Sequence, residues 1–231
     1  MRTIPENKTT IYKEDLINKC PICSKHNVIS CDKCTLESKV VDRFVQANIP
    51  IDYWDKEMIN FQGDKKLIKI YNNISESFRE YYKSGKSMLL VGQHGVGKTY
   101  FACCILKQAA IKGYGSLYTT LGDAVSVLIY GDSNTKFLAR KELIMTSFLC
   151  IDEFDSRFIV NENSAELFGR ILEGIIRIRF QNKMPSILIS NDKDPSKALG
   201  AALGASISSL IKGNCKKIAV IGSDYRESQL S

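Results

Sequence analysis

The chain of 231 residues is long enough for one full-sized α/β domain and a small appendage. With 44% hydrophobic and 25% charged residues it has the composition of a protein that folds around a core in water, which excludes a disordered or fibrous architecture. The formal charge of +7 suits a polyanionic partner, although the positive residues (Lys65-Lys66, Arg140-Lys141, Arg177 and Arg179, Lys216-Lys217) are scattered, and no basic stripe with interleaved aromatics stands out.

The start of the chain, Met1 to Lys8, lacks the apolar core of a signal peptide, and nowhere is there an apolar run of the roughly 18 residues that a membrane span needs. The expectation is a cytoplasmic protein, of a bacterial cell or a phage-infected host, without a membrane partner. Reducing conditions then turn the eight cysteines away from a disulfide framework and toward metal binding and buried thiols.

Residues 1–19 are polar without a clear period and read as an arm, flexible or ordered by a partner. Residues 20–38 form a small module holding Cys20-x-x-Cys23 and Cys31-x-x-Cys34, with seven residues between the pairs, close enough for all four to hold one tetrahedral ion. Zinc suits four thiolates where nothing suggests redox chemistry, while iron, a redox dithiol pair or two disulfides remain the alternatives. His26 reads as a loop residue, and Cys103, Cys104, Cys150 and Cys215 as small apolar residues of the core. Residues 39–84 form a helical linker, in which Leu67, Ile70, Tyr71, Ile74, Phe78 and Tyr81 predict one helix of about four turns with an apolar face.

From residue 85 to 231, short apolar runs alternate with longer helical stretches, the pattern of an α/β domain with a mostly parallel five-stranded sheet. The predicted strands are Met88 to Val91, Ser116 to Thr119, Phe148 to Asp152, Ser186 to Ser190 and Lys217 to Ile221. The predicted helices are Thr99 to Ile111, Leu121 to Tyr130 and Ala165 to Phe180.

Directly after the first strand, Gly92-Gln93-His94-Gly95-Val96-Gly97-Lys98-Thr99 fits G-x-x-x-x-G-K-[ST] and opens into the helical Tyr100-Phe101-Ala102 run. Glycines let the backbone N–H groups wrap phosphate, and the helix N-terminus adds partial positive charge. The motif predicts ATP binding by residues 92–100, with Lys98 on the β- and γ-phosphates and the Thr99 hydroxyl on Mg2+. His94, at a tolerant position, reads as a solvent-facing loop residue.

The third strand ends in Asp152-Glu153, which places a Mg2+-holding carboxylate beside the phosphates and a second carboxylate to polarise the attacking water. Two consecutive acids mark the P-loop class with an additional strand, so hydrolysis as well as binding is expected. The fourth strand ends at Asn191, the candidate sensor of the γ-phosphate.

The four-cysteine front end, Arg43 to Pro50, the Gly92 to Thr99 loop and the Cys150-Ile151-Asp152-Glu153 strand together resemble the AAA+ ATPases of the DnaC/DnaI helicase-loader and IstB transposition-helper group, over about residues 40–228. Asn48-Ile49-Pro50 and Asp224-Tyr225-Arg226 point to this branch. The resemblance implies an AAA+ fold, a replicative helicase and single-stranded DNA as partners, self-assembly or assembly with a partner, and control of delivery by ATP state. A transposition regulator and an ATP-switched adaptor with weak catalysis are the alternatives. One departure stands out: loaders carry an arginine after the sensor strand that reaches a neighbouring subunit's nucleotide, whereas Leu203 to Leu210 holds none. Arg226, Arg177, Arg179 or a partner is left to supply the charge, and weak intrinsic hydrolysis is expected.

Overall fold

The computed structural model describes residues 4–26, 31–155, 162–192 and 205–225. Before the sheet come α1 (Glu6–Asn18), α2 (Pro21–His26), α3 (Asp32–Gln46), α4 (Lys65–Glu76) and α5 (Phe78–Ser84). Then follow β1 (Ser87–Val91), α6 (Lys98–Ile111), β2 (Ser116–Thr120), α7 (Leu121–Tyr130), α8 (Ser133–Met145), β3 (Phe148–Asp152), α9 (Glu162–Gln181), β4 (Ser186–Ser190), α10 (Ala205–Asn214) and β5 (Cys215–Ala219). None of these helices is long and apolar enough to cross a membrane.

The five strands are all parallel, in the order β2-β3-β4-β1-β5. Strand β4 lies between β1, which feeds the phosphate loop, and β3, which carries the acids; this is the additional strand that the double acid predicts. Because side chains alternate across a strand, each strand serves two cores. Met88 and Leu90 pack with α3, α4 and α6 on one face, and Leu89 and Val91 pack with α7 to α10 on the other. Sheets covered on both faces read as continuous apolar runs, which is why β1, β3 and β4 are buried at every position.

Several elements depart from the sequence expectation. The arm contains α1, a helix with no fully buried residue but with the Tyr12 ring edge-on to Trp54, at 5.0 Å between centroids. The four-turn helix is broken at Ser77, whose φ of −125° and ψ of 45° are not helical; Leu67 and Ile74 face the α6 core while Phe78 turns to Phe148 and Tyr114. Helix α8 has only Ala139 and Leu143 buried, too few for a periodic stripe, though Asp132 caps it by accepting from the Asn134 and Thr135 amides. Strand β5 lies two residues earlier than expected: Cys215 and Lys216 already pair with Ser87 and Met88, while Ile221, past its end, donates its N–H to the Asp64 carboxylate.

Arg179 is fully buried, against the expectation that it could reach a neighbouring nucleotide. Its guanidinium donates to the carbonyls of Leu143, Ile144, Thr146 and Pro185 and to the Ser186 hydroxyl, at 2.8 to 3.2 Å. Burial pushes its pKa down to about 9, which leaves it charged at neutral pH. This cation ties the C-terminus of α8 to the start of β4, satisfying carbonyls that a helix end otherwise leaves orphaned. Replacing it by Met should cost at least about 3 kcal/mol, because several buried acceptors lose their donor at once, while Arg177→Met on the exposed face should stay within about 0.5 kcal/mol. Urea denaturation midpoints of the two variants check this contrast.

Candidate functional site

The carboxyl ends of β1, β3 and β4 meet where the phosphate loop leaves the sheet. The loop needs glycine at two positions, since Gly95 and Gly97 have φ of 72° and 91°. A side chain at either would also collide, with Asp224 Oδ1 1.8 Å from a Cβ on Gly95 and the Phe61 ring 2.5 Å from one on Gly97. Phe61, from the linker, and residues 222–225, after β5, therefore pack directly on the loop; Tyr225 N–H donates to Gly95 O and the Tyr225 hydroxyl to Gln62 O.

Lys98 is 5% exposed, and its ammonium folds back on its own loop. Nζ donates to the carbonyls of Gly92 and Gln93, at 2.7 and 2.6 Å, and to Asn191 Oδ1 at 3.0 Å. One helical position on, the Thr99 hydroxyl donates to Asp152 Oδ2 at 2.7 Å. The structure thus brings together Lys98, Thr99, Asp152 and Asn191. Gln93 and His94 are exposed, Val96 points into the core, and the Tyr100 hydroxyl turns away to Glu57 O.

Two further residues of the site escape the sequence reading. The Tyr118 hydroxyl donates 2.9 Å to Asp152 Oδ2, so one carboxylate oxygen accepts from both Tyr118 and Thr99. Burial first, and then the Asp152 charge, hold that phenol protonated far above its ordinary range. Asp155, 1% exposed, accepts from the Ser190 hydroxyl at 2.6 Å and from the Asn191 amide N–H and Nδ2 at 2.9 and 3.0 Å. Only the D-E-F-D run hinted at it; Tyr118, mid-strand, gave no signal beyond an apolar position.

Glu153 follows Asp152 at a φ of 51°, left-handed for a residue with a side chain. Its neighbours enforce the turn: Phe154 N–H donates to Ile189 O at 2.7 Å, and the Phe154 ring is fully buried. Strain held at one residue between two anchored ones is a mark of positioned chemistry. The conformation costs about 1 kcal/mol or more, so Glu153→Gly should raise stability by about 1 kcal/mol while Glu153→Ala should not. Chemical denaturation of both variants measures the difference.

Of the arginines proposed to act on a neighbour's nucleotide, Arg177 lies on the surface of α9, 2.6 Å from Glu173. Arg226 falls outside the described residues, as do Leu203 and Gly204, and Ala205 to Leu210 open α10.

The second cluster is built by α1 to α3. The Sγ atoms of Cys20, Cys23, Cys31 and Cys34 lie within 4.8 Å of one another, with Cys20 to Cys31 at 3.8 Å and Cys23 to Cys34 at 3.6 Å. None of the four is joined in a disulfide. A tetrahedral ion with metal–sulfur bonds of about 2.3 Å separates its ligands by about 3.8 Å, so the set fits. Backbone N–H groups of Cys23 and Ile22 lower the Cys20 thiol to about 6, whereas desolvation, and then contact with Cys20, raise Cys34. A cation held by the cluster would ionise Cys34 along with Cys20.

No curated protein sequence matches the chain. Among solved structures, the DnaC helicase loader superposes with a TM-score of 0.61 at 22% identity, over 74% of this chain and 100% of that one. DnaI does so with a TM-score of 0.61 at 19% identity, over 78% and 98%. The replication initiator DnaA bound to AMPPCP and single-stranded DNA also gives 0.61, at 15% identity and over 79% of this chain, which spans only 55% of DnaA and 52% of a further DNA replication initiation factor. These likenesses show a shared fold, an α/β P-loop domain on a five-stranded parallel sheet. The model of the IstB-like ATP binding proteins matches residues 52–229, from the linker through the tail beside the phosphate loop, and the chain therefore belongs to the IstB-like ATP-binding family.

Proposed function

We propose that this protein binds Mg-ATP at the loop of residues 92–99, hydrolyses it slowly by itself, and couples its ATP state to a replicative helicase and single-stranded DNA. The observation that carries the reading is the convergence of Lys98, Thr99, Asp152 and Asn191 at adjacent strand ends. The Lys98 ammonium is held by two loop carbonyls and an amide oxygen, the kind of partners that phosphate oxygens replace without leaving the charge bare.

Thr99 and Asp152 are the residues that would hold Mg2+, which supplies charge neutralisation on the β- and γ-phosphate oxygens. Asp152 is kept in place by Tyr118 from β2 and by the Glu153 N–H on Oδ1 at 2.7 Å. Glu153, at its left-handed position directly after Asp152, orients a water for in-line attack. With Arg179 committed to the core, turnover awaits a cation from elsewhere, in another copy or in a partner.

Zinc is the ion we assign to the four cysteines, making residues 20–38 a metal-stabilised module ahead of the linker and of an ATPase domain spanning 85–231. The helicase reading is supported by the fold shared with DnaC and DnaI. A second reading, a transposition regulator, is favoured by the family match itself.

Lys98→Ala should weaken ATP binding at least about 100-fold, whereas Glu153→Gln should keep binding and lower turnover by about 100-fold or more. Calorimetric titration and phosphate release measure the two separately. Protein purified without chelator should carry about one equivalent of zinc by elemental analysis, and Cys34→Ser should lose it and the thermal stability of the module together. The partner is read by mixing the ATP-bound protein with a replicative helicase, a transposase or DNA alone. Helicase binding that requires residues 1–40 supports the loader reading, and filaments on duplex DNA without helicase binding overturn it.

A further inference from the structure

Asn191 stands between two opposite charges, with Lys98 Nζ on its Oδ1 at 3.0 Å and an Asp155 oxygen on its Nδ2 at 3.0 Å. An ammonium only donates and a carboxylate only accepts, so the chemistry of its neighbours fixes which end of the amide faces the phosphate loop. Asp155 is itself fixed, since its other oxygen accepts from the Ser190 hydroxyl and the Asn191 backbone N–H. We propose that Asp155 is a positioning residue: it holds Asn191 so that the amide presents oxygen, not NH2, toward the nucleotide. This rests on the reading of residues 92–99 as the ATP site.

The consequence concerns how the third phosphate is detected. An amide oxygen cannot donate to a phosphate; it can hold the Lys98 ammonium when the loop is empty and accept from a water when Lys98 moves to phosphate. Asn191 thus responds to the position of Lys98 and of the attacking water, rather than bonding the γ-phosphate directly. Asp155, buried and bonded to the Nδ2 end of the amide while Lys98 holds the Oδ1 end, acts through Asn191.

The arrangement has a chemical inverse that can be built. In Asp155→Asn the new amide must keep its oxygen on the Asn191 backbone N–H, which leaves its NH2 facing the Asn191 NH2. The residue 191 amide is then driven to reverse and offers its donors to the phosphate. In Asn191→Asp two carboxylates face each other. In the double variant D155N/N191D the residue 155 NH2 again meets an acceptor on residue 191, and residue 191 again offers oxygen to Lys98.

The experiment compares affinities for ADP and for a non-hydrolysable ATP analogue, both with Mg2+, together with thermal unfolding of the nucleotide-free proteins. D155N should tighten the ATP analogue by about tenfold relative to ADP, one charge-assisted hydrogen bond, and the double variant should return the ratio to within about threefold of the parent. Both single variants should unfold at lower temperature, and the double variant should recover most of the loss. An unchanged analogue-to-ADP ratio in D155N, or a double variant that merely adds the two single losses, overturns the proposal. Should the parent bind no nucleotide, the ATP-site reading fails, while recovery or additivity in the unfolding temperatures still decides whether Asp155 fixes the amide.

Discussion

A buried ammonium must be surrounded by oxygens, and this requirement on Lys98 organises the nucleotide end of the molecule. Gly92 O, Gln93 O and Asn191 Oδ1 come to it from the turn of the phosphate loop and from the end of the strand next to it. The loop can offer Gly92 O and Gln93 O only because Gly95 and Gly97 take left-handed angles, and Asn191 arrives only because β4 pairs directly with β1. The order of the sheet and the conformation of the loop are two halves of one solution for a single charge.

The acids follow from the same order. With β4 inserted, β3 is one strand removed from the loop, and Asp152 reaches back to Thr99 across the end of β4. Tyr118 on β2 and Asp155 beyond β3 then hold Asp152 and Asn191 from outside. Each group aimed at the nucleotide is seated by another that is buried and hydrogen-bonded, the arrangement by which a site keeps its geometry without substrate.

What could be read from sequence was what repeats locally. The phosphate loop, the Asp152-Glu153 pair and the paired cysteines are spacing signals, and three strands, β1, β3 and β4, are apolar runs that stand out against their flanks. What escaped depends on contacts between distant segments. Tyr118 counts as an apolar strand residue until the fold puts Asp152 beside its hydroxyl, and Arg179 looks like a surface charge until α8 ends against β4. Helices α1 and α8 bury too little for a stripe to show, so their signals were caps and single aromatics. Phe61 and Asp224 come to the loop from opposite directions along the chain, which no local pattern encodes.

The central claim is that the oxygens around Lys98 and Thr99 stand in for those of ATP. A crystal structure with Mg2+ and a non-hydrolysable ATP analogue tests it most directly. Lys98 Nζ should leave the Gly92 and Gln93 carbonyls for the β- and γ-phosphates, with the cation opening the hydrogen bond between Thr99 and Asp152. A nucleotide bound elsewhere, or bound at this loop while Lys98 stays on its own carbonyls, would contradict it.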